Sequence, residues 1–243
     1  MYSWLQPNTD PSPLHNRAEA LIEPHTCDWV QRTPAWTDWL EARARCLWIH
    51  GIPGAGKTVL LSHLIKELKK IHGSVIYYYC YFGHNQDEAA PFLRWLITQL
   101  CRQANSVPAE LYVLFGEGCE LSLPELLKIL SICLDYFDKR IYVAVDAVDE
   151  SKPRDNLLKV LRDLVTDHRF HKIQLLATSR EYIDIEKVLD SISCQLAMSN
   201  PFIAADIRRY VASTLRKNDK FKRWPEQLLV ETEEALATRA KGM

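Results

Sequence analysis

From residue 46 onward, short uninterrupted apolar runs alternate with segments whose apolar residues return every three or four positions. The runs at residues 46–50, 75–82, 141–145, 173–177 and 192–196 have the length and the β-branched or aromatic content of strands. Between them the spacing predicts helices. One follows the glycine-containing stretch through residue 71, and a second covers residues 91–104 on the spacing of Phe92, Leu93, Leu96, Ile97 and Leu100. A third starts at Ser122, which forms a capping-box pair with Glu125, and a fourth is marked by Leu157, Leu158, Leu161, Leu164 and Val165. Two more close the chain over residues 201–215 and 225–241. Strands that are apolar throughout and joined by helices imply a three-layer α/β fold with a parallel sheet covered on both faces. Upstream, residues 1–13 carry three prolines and read as an irregular lead-in, followed by a helix over residues 14–23. A second short helix has Thr33 as its cap, Pro34 in its first turn, and Trp36, Trp39 and Leu40 on one face. Three regions result: a helical lead-in over 1–45, an α/β core over 46–198 and C-terminal helices over 199–243.

Composition narrows the class. The chain has 243 residues, 47% hydrophobic and 25% charged, which excludes disordered, collagen-like and coiled-coil proteins. Only 8 residues are glycine, and Gly51, Gly54 and Gly56 fall within six consecutive positions, so one loop has unusual backbone freedom. Lys and Arg total 30 against 31 for Asp and Glu, so no overall field draws the chain to nucleic acid or to an anionic membrane, and neither is expected as a partner. The basic group Arg216, Lys217, Lys220, Lys222 and Arg223 sits at a helix end, where cations complement the dipole, and reads as solvated surface. Seven cysteines without a C-x-x-C pair, mostly in apolar segments, suit reduced thiols. With no signal-like N-terminus and no run near the ~18 apolar residues of a membrane span, a cytoplasmic location is expected.

The chemistry concentrates in three stretches. Gly51-Ile52-Pro53-Gly54-Ala55-Gly56-Lys57-Thr58 matches G-x-x-x-x-G-K-[ST] between a predicted strand and a predicted helix that continues through Val59. Such a loop turns its backbone N–H groups toward phosphate oxygens at a helix N-terminus. Lys57 then reaches the β- and γ-phosphates, and the Thr58 hydroxyl ligates Mg²⁺. The run Ile141-Tyr-Val-Ala-Val ends in Asp146, placed to hold the water shell of the same ion, with Asp149 and Glu150 in the following loop to orient or deprotonate an attacking water. These acids also suit a helix N-terminus, and one follows. The run ending Ala177-Thr178-Ser179-Arg180 delivers a guanidinium to the same edge, where it could contact a γ-phosphate or simply occupy a surface turn. Arg154 reads equally as a loop residue. No zinc-type spacing and no G-x-S-x-G elbow is present.

With these residues in place, the sequence resembles the NACHT class of STAND P-loop NTPases, and within it fungal NACHT domains grouped with nephrocystin-like N-terminal domains. The resemblance rests on Cys46–Leu60 with its loop, on Ala147 directly after Asp146, on Ala177-Thr178-Ser179-Arg180, on the aromatic stretch Tyr77–Phe82 and on Asp206-Ile-Arg-Arg-Tyr-Val211, with weaker support from Trp4-Leu5, His15-Asn16 and Trp29. It implies strand order 5-1-4-3-2, which puts the Arg180 strand between the phosphate-loop strand and the Asp146 strand. It also implies an ATP/ADP switch, closed with ADP and self-associating with ATP, with weak ATPase activity as the reset. Residues 25–29 would lie near the adenine. Family members continue past the helix that ends at Lys241-Gly242-Met243 into a winged-helix domain and sensing repeats, and carry effector domains upstream, so a longer parent chain is expected. The rival reading is a stand-alone ATPase or small-molecule phosphotransferase. The latter would need an Arg-bearing lid, and residues 83–140 are helical and apolar instead.

Overall fold

The computed structural model describes residues 2–5, 10–118 and 120–239. Cys119, the predicted helix end at Lys241, and Gly242 lie outside the described residues. In chain order the helices are α1 (Tyr2–Leu5), α2 (Ser12–Glu19), α3 (Pro34–Leu40), α4 (Lys57–His72), α5 (Ala89–Ala104), α6 (Ala109–Glu117), α7 (Leu123–Leu134), α8 (Asp155–Thr166), α9 (Ile183–Leu189), α10 (Pro201–Lys217) and α11 (Glu226–Arg239). The strands are β1 (Cys46–His50), β2 (Ile76–Tyr79), β3 (Ile141–Asp146), β4 (Ile173–Ser179) and β5 (Cys194–Ala197). All four strand pairings are parallel, and the order is β2-β3-β4-β1-β5, as the resemblance implied.

The apolar strand interiors are explained by two cores, one on each face. Successive strand residues point to opposite sides, so Cys46 and Trp48 of β1 join Val143, Val145, Leu175 and Ala177 against α5, α7, α8 and α9. Leu47 and Ile49 join Tyr142, Ala144 and Leu176 against α4 and the tryptophans of the lead-in. The lead-in is fastened by polar bonds as well as by packing. Trp39 Nε1 donates to the Leu175 carbonyl at 2.7 Å, and the buried Gln174 amide donates to the carbonyls of Trp39 and Ala44. Thr33 caps α3 as predicted, accepting from the Trp36 N–H at 3.3 Å, and Ser122 and Glu125 form the capping box of α7.

The periodicity misled at several points. Residues 2–5 are helical rather than irregular, because Leu5 is buried in the larger core and Trp4 packs edge-on to Phe115. Helix α2 begins at Ser12, with Pro13 in its first turn, and stops at Glu19, beyond which Leu21 is exposed and offers no continuing apolar face. Helix α6 was not expected; it buries Leu111 while Tyr112 and Val113 face solvent, so its pattern carries little helical periodicity. Strand β2 is shorter than the aromatic run, since the chain turns tightly at Phe82–His84. Among the described residues no helix is long and apolar enough to cross a membrane.

Candidate nucleotide-binding site

The loop 51–56 leaves β1 and opens α4, so its N–H groups sit at the N-terminus of a 16-residue helix. Gly56 takes the left-handed conformation at φ +85°, which a side chain rarely adopts. At Gly51, at φ +157°, space is a reason as well as conformation. A Cβ there would stand 2.8 Å from the Cβ of Met198, the residue that follows β5. Gly54, Pro53 and Ile52 are exposed, Ala55 is buried, and Val59 turns toward an adjoining cavity. The Lys57 ammonium folds over the loop and donates to the carbonyls of Gly51 at 2.8 Å and Ile52 at 2.9 Å. Partial burial lowers its pKa, opposed by the Asp149 carboxylate.

Asp146 ends β3 and is 2% exposed. Its carboxylate is bonded by hydroxyls rather than by a cation: Thr178 Oγ1 donates to Oδ1 at 2.5 Å, and Thr58 supplies a second bond. Burial is the main cause of a carboxyl pushed up to about 6; the two hydroxyls oppose it, and Glu150 and Asp149 add to it. Thr178 Oγ1 also accepts from the N–H of Ala147, which is left-handed at φ 54°, so one threonine of β4 sets both the acid and the turn after it. A buried carboxylate beside a threonine hydroxyl at a phosphate loop is a donor set that fits Mg²⁺, a hard ion that keeps most of its water and takes few protein ligands.

Asp149 and Arg180 meet in the next layer. Asp149, 5% exposed, accepts from the Arg180 N–H at 2.9 Å and faces its guanidinium at 3.2 Å. Glu150 parts from it: its carboxylate accepts from the Phe82 N–H at 3.2 Å and tethers the turn after β2. Arg154 is a tie between loops, bonded to both oxygens of Asp184 at 2.6 and 3.1 Å and to the Asp149 carbonyl at 2.9 Å. The fold thus brings Lys57, Thr58, Asp146, Asp149 and Arg180 to the carboxyl edge of the parallel strands β1, β3 and β4, beside the point where the strand order reverses.

Beside the loop lies a cavity of about 540 Å³. Its walls include Gly54, Ala55, Gly56 and Val59 on one side, Cys27 and Trp29 on another, and Ile203, Ile207 and Tyr210 of α10 on a third. Its volume and apolar lining suit a purine and ribose next to the phosphates. Of residues 25–29, which the resemblance implies lie near the adenine, Thr26, Cys27 and Trp29 line this cavity. The role of Asp206 was not foreseen: its Oδ2 accepts from the Cys27 N–H at 2.7 Å and from Trp29 Nε1 at 3.2 Å. The signal available was a lone acid between Ile203 and Ile207 on the inward face of an amphipathic helix.

Residues 25–180 match the family described as Nephrocystin 3, N-terminal. The chain belongs to this family. The matched span reaches from the cavity segment at Thr26, Cys27 and Trp29 to Arg180, so it contains Lys57, Thr58, Asp146, Asp149, Glu150 and Arg180 but not Met198 or the α10 residues. This nephrocystin-3 N-terminal domain is also 29% identical over 210 residues to vegetative incompatibility protein HET-E-1 of Podospora anserina, covering 79% of the chain and 15% of that relative. Among solved structures it is similar to the ORC1 protein of Aeropyrum pernix in complex with DNA, at TM-score 0.51 and 14% identity, covering 96% of this chain and 56% of that one. A Drosophila ORC bound to DNA matches at TM-score 0.49 and 16% identity, over 95% and 55% of the two chains. The domain therefore has an α/β fold of the P-loop type. One expectation is corrected. Nucleic acid was excluded as a partner from the even charge balance, and sharing a fold with a protein solved on DNA overturns that exclusion. Net charge describes the whole chain, whereas a nucleic-acid contact depends on a local surface.

Proposed function

We propose that this domain is an ATP/ADP-binding switch with slow Mg²⁺-dependent hydrolysis, working within a longer cytoplasmic signalling protein and self-associating in the ATP state. The observation that carries the reading is the convergence of the loop lysine, a buried acid and an acid–arginine pair on one sheet edge, beside a cavity of base-and-ribose size. Bound Mg²⁺ would supply charge neutralisation between the β- and γ-phosphates, with Thr58 and Asp146 as its protein contacts. Lys57 exchanges its two loop carbonyls for phosphate oxygens. A γ-phosphate competes with Asp149 for the Arg180 guanidinium, and Asp149, once released, is placed to orient water. The pair is thus a sensor of the third phosphate. Support for a signalling context comes from HET-E-1, named as a vegetative incompatibility protein, of which this domain covers only 15%.

The test is to purify the chain, release its bound nucleotide by denaturation and identify it beside a Lys57→Ala variant. ADP present in the parent and lost in the variant is expected, with turnover far below the ~10 per second of typical enzymes. Equal, negligible binding of Mg-ATP by both proteins refutes the nucleotide reading, and brisk multiple turnover refutes the switch.

A further inference from the structure

Helix α10 presents four polar side chains, Asp206, Arg209, Ser213 and Lys217, spaced so that they share one face. All four bond to a single short segment of the lead-in. Asp206 takes the N–H of Cys27 and Trp29 Nε1, Arg209 donates to the His25 carbonyl, and Ser213 and Lys217 donate to the Glu23 carboxylate at 2.8 and 2.9 Å. The order runs antiparallel, from Trp29 back to Glu23. The segment so held is strained, since His25 and Cys27 are both left-handed non-glycine residues, at φ 64° and 70°. Such conformations persist where surrounding contacts over-determine them. Here the contacts fall on the strained residues' own backbone groups, the His25 carbonyl and the Cys27 N–H.

On the adjoining face of α10, Ile203, Ile207, Tyr210 and Val211 line the 540 Å³ cavity, whose opposite wall is the same held segment with Trp29. Trp29 is further fixed by stacking on Phe202, with ring centroids 5.8 Å apart and planes 10° from parallel. The clasp therefore shapes the base compartment but leaves the phosphate loop untouched.

We propose that Asp206 is a positioning residue for the nucleoside: by holding segment 23–29 in its strained form it builds the wall against which the base packs, so base binding and the docking of α10 stabilise one another. This rests on the nucleotide reading above, and the experiment separates the two. Affinities of the nucleotide-stripped chain for Mg-ADP and for Mg-pyrophosphate are measured in the parent, Asp206→Ala and Asp206→Asn. Losing two hydrogen bonds to a charged acceptor is expected to weaken Mg-ADP by about 10- to 100-fold in Asp206→Ala, leaving Mg-pyrophosphate within about twofold. Asp206→Asn retains an acceptor oxygen and is expected to lose less. Hydrogen exchange supplies a second readout. In the parent, Mg-ADP should slow exchange at residues 23–29 and in α10 together, and in Asp206→Ala this joint protection should be lost. Unchanged Mg-ADP affinity in Asp206→Ala, or equal loss of both ligands in the alanine and asparagine variants, overturns the proposal. A parent chain that binds neither ligand overturns the nucleotide reading instead.

Discussion

Asp146 is a buried acid whose carboxylate is held by the hydroxyls of Thr178 and Thr58, and without a bound cation its charge is a source of instability at neutral pH. The folded chain retains the Asp146 proton up to about pH 6, against an ordinary value of 3.8. Between those values the native state binds more protons than the unfolded state, so stability falls as pH rises through the window. The interval, at 1.36 kcal/mol per pH unit, corresponds to about 3 kcal/mol lost by pH 7. Asp146→Asn removes the charge while its amide oxygen still accepts from Thr178 and its amide hydrogens face the Thr58 hydroxyl. The variant should therefore be more stable than the parent at pH 7.5 by about 1–3 kcal/mol, or about 2–10 °C in melting temperature for a chain of this size. The assay is thermal unfolding of nucleotide-stripped protein in EDTA at pH 4, 5 and 7.5, with the difference growing across the series. Mg-ADP should then raise the melting temperature of the parent alone. An Asp146→Asn variant that melts at or below the parent at pH 7.5, or differs from it equally at every pH, would refute the reasoning.

Two substitutions test the scaffold of the site. Gly51→Ala places a Cβ 2.8 Å from Met198 Cβ at a φ of +157° and should cost about 1–3 kcal/mol by denaturant midpoint; Met198→Ala should not relieve it, since alanine keeps the clashing atom, whereas Met198→Gly should recover only the part due to the contact and leave the backbone strain. Glu88, fully buried, accepts from the Tyr78 hydroxyl and bonds the His84 ring at 2.6 Å, so Glu88→Ala should lower stability by about 2–4 kcal/mol in the same assay.

The sheet and the phosphate loop were legible in the sequence because their signals are local. A strand covered on both faces must be apolar throughout, as Ile141–Val145 and Leu175–Ala177 are, and a tight phosphate loop must have glycine at fixed positions. Helices α1 and α6 were illegible because they are short and, among the described residues, Leu5 and Leu111 are their only fully buried side chains. Asp149 and Glu150 look alike in sequence, yet one meets an arginine and the other a backbone N–H 68 residues away, a distinction made by the turn after β2 and not by the acids themselves. Asp206 was hidden for a related reason. Its partners are mainly backbone and tryptophan N–H groups nearly 180 positions upstream, and no residue pattern announces a hydrogen bond to a main chain.

Met198 links the phosphate loop to α10 through the chain itself, in addition to the cavity they share. Its N–H donates to the His50 carbonyl at 2.8 Å, its Cβ abuts the position where Gly51 has none, and only Ser199 and Asn200 separate it from α10. The first residue of the phosphate loop and the first turn of the clasping helix are thus spaced by a connector with no slack. Chain length here is itself a functional parameter. One residue inserted between β5 and α10 would rotate the helix by about 100°, swinging Asp206 away from Cys27 and the apolar wall away from the base. The connector after α5 bears no such relation to the site and is free to lengthen.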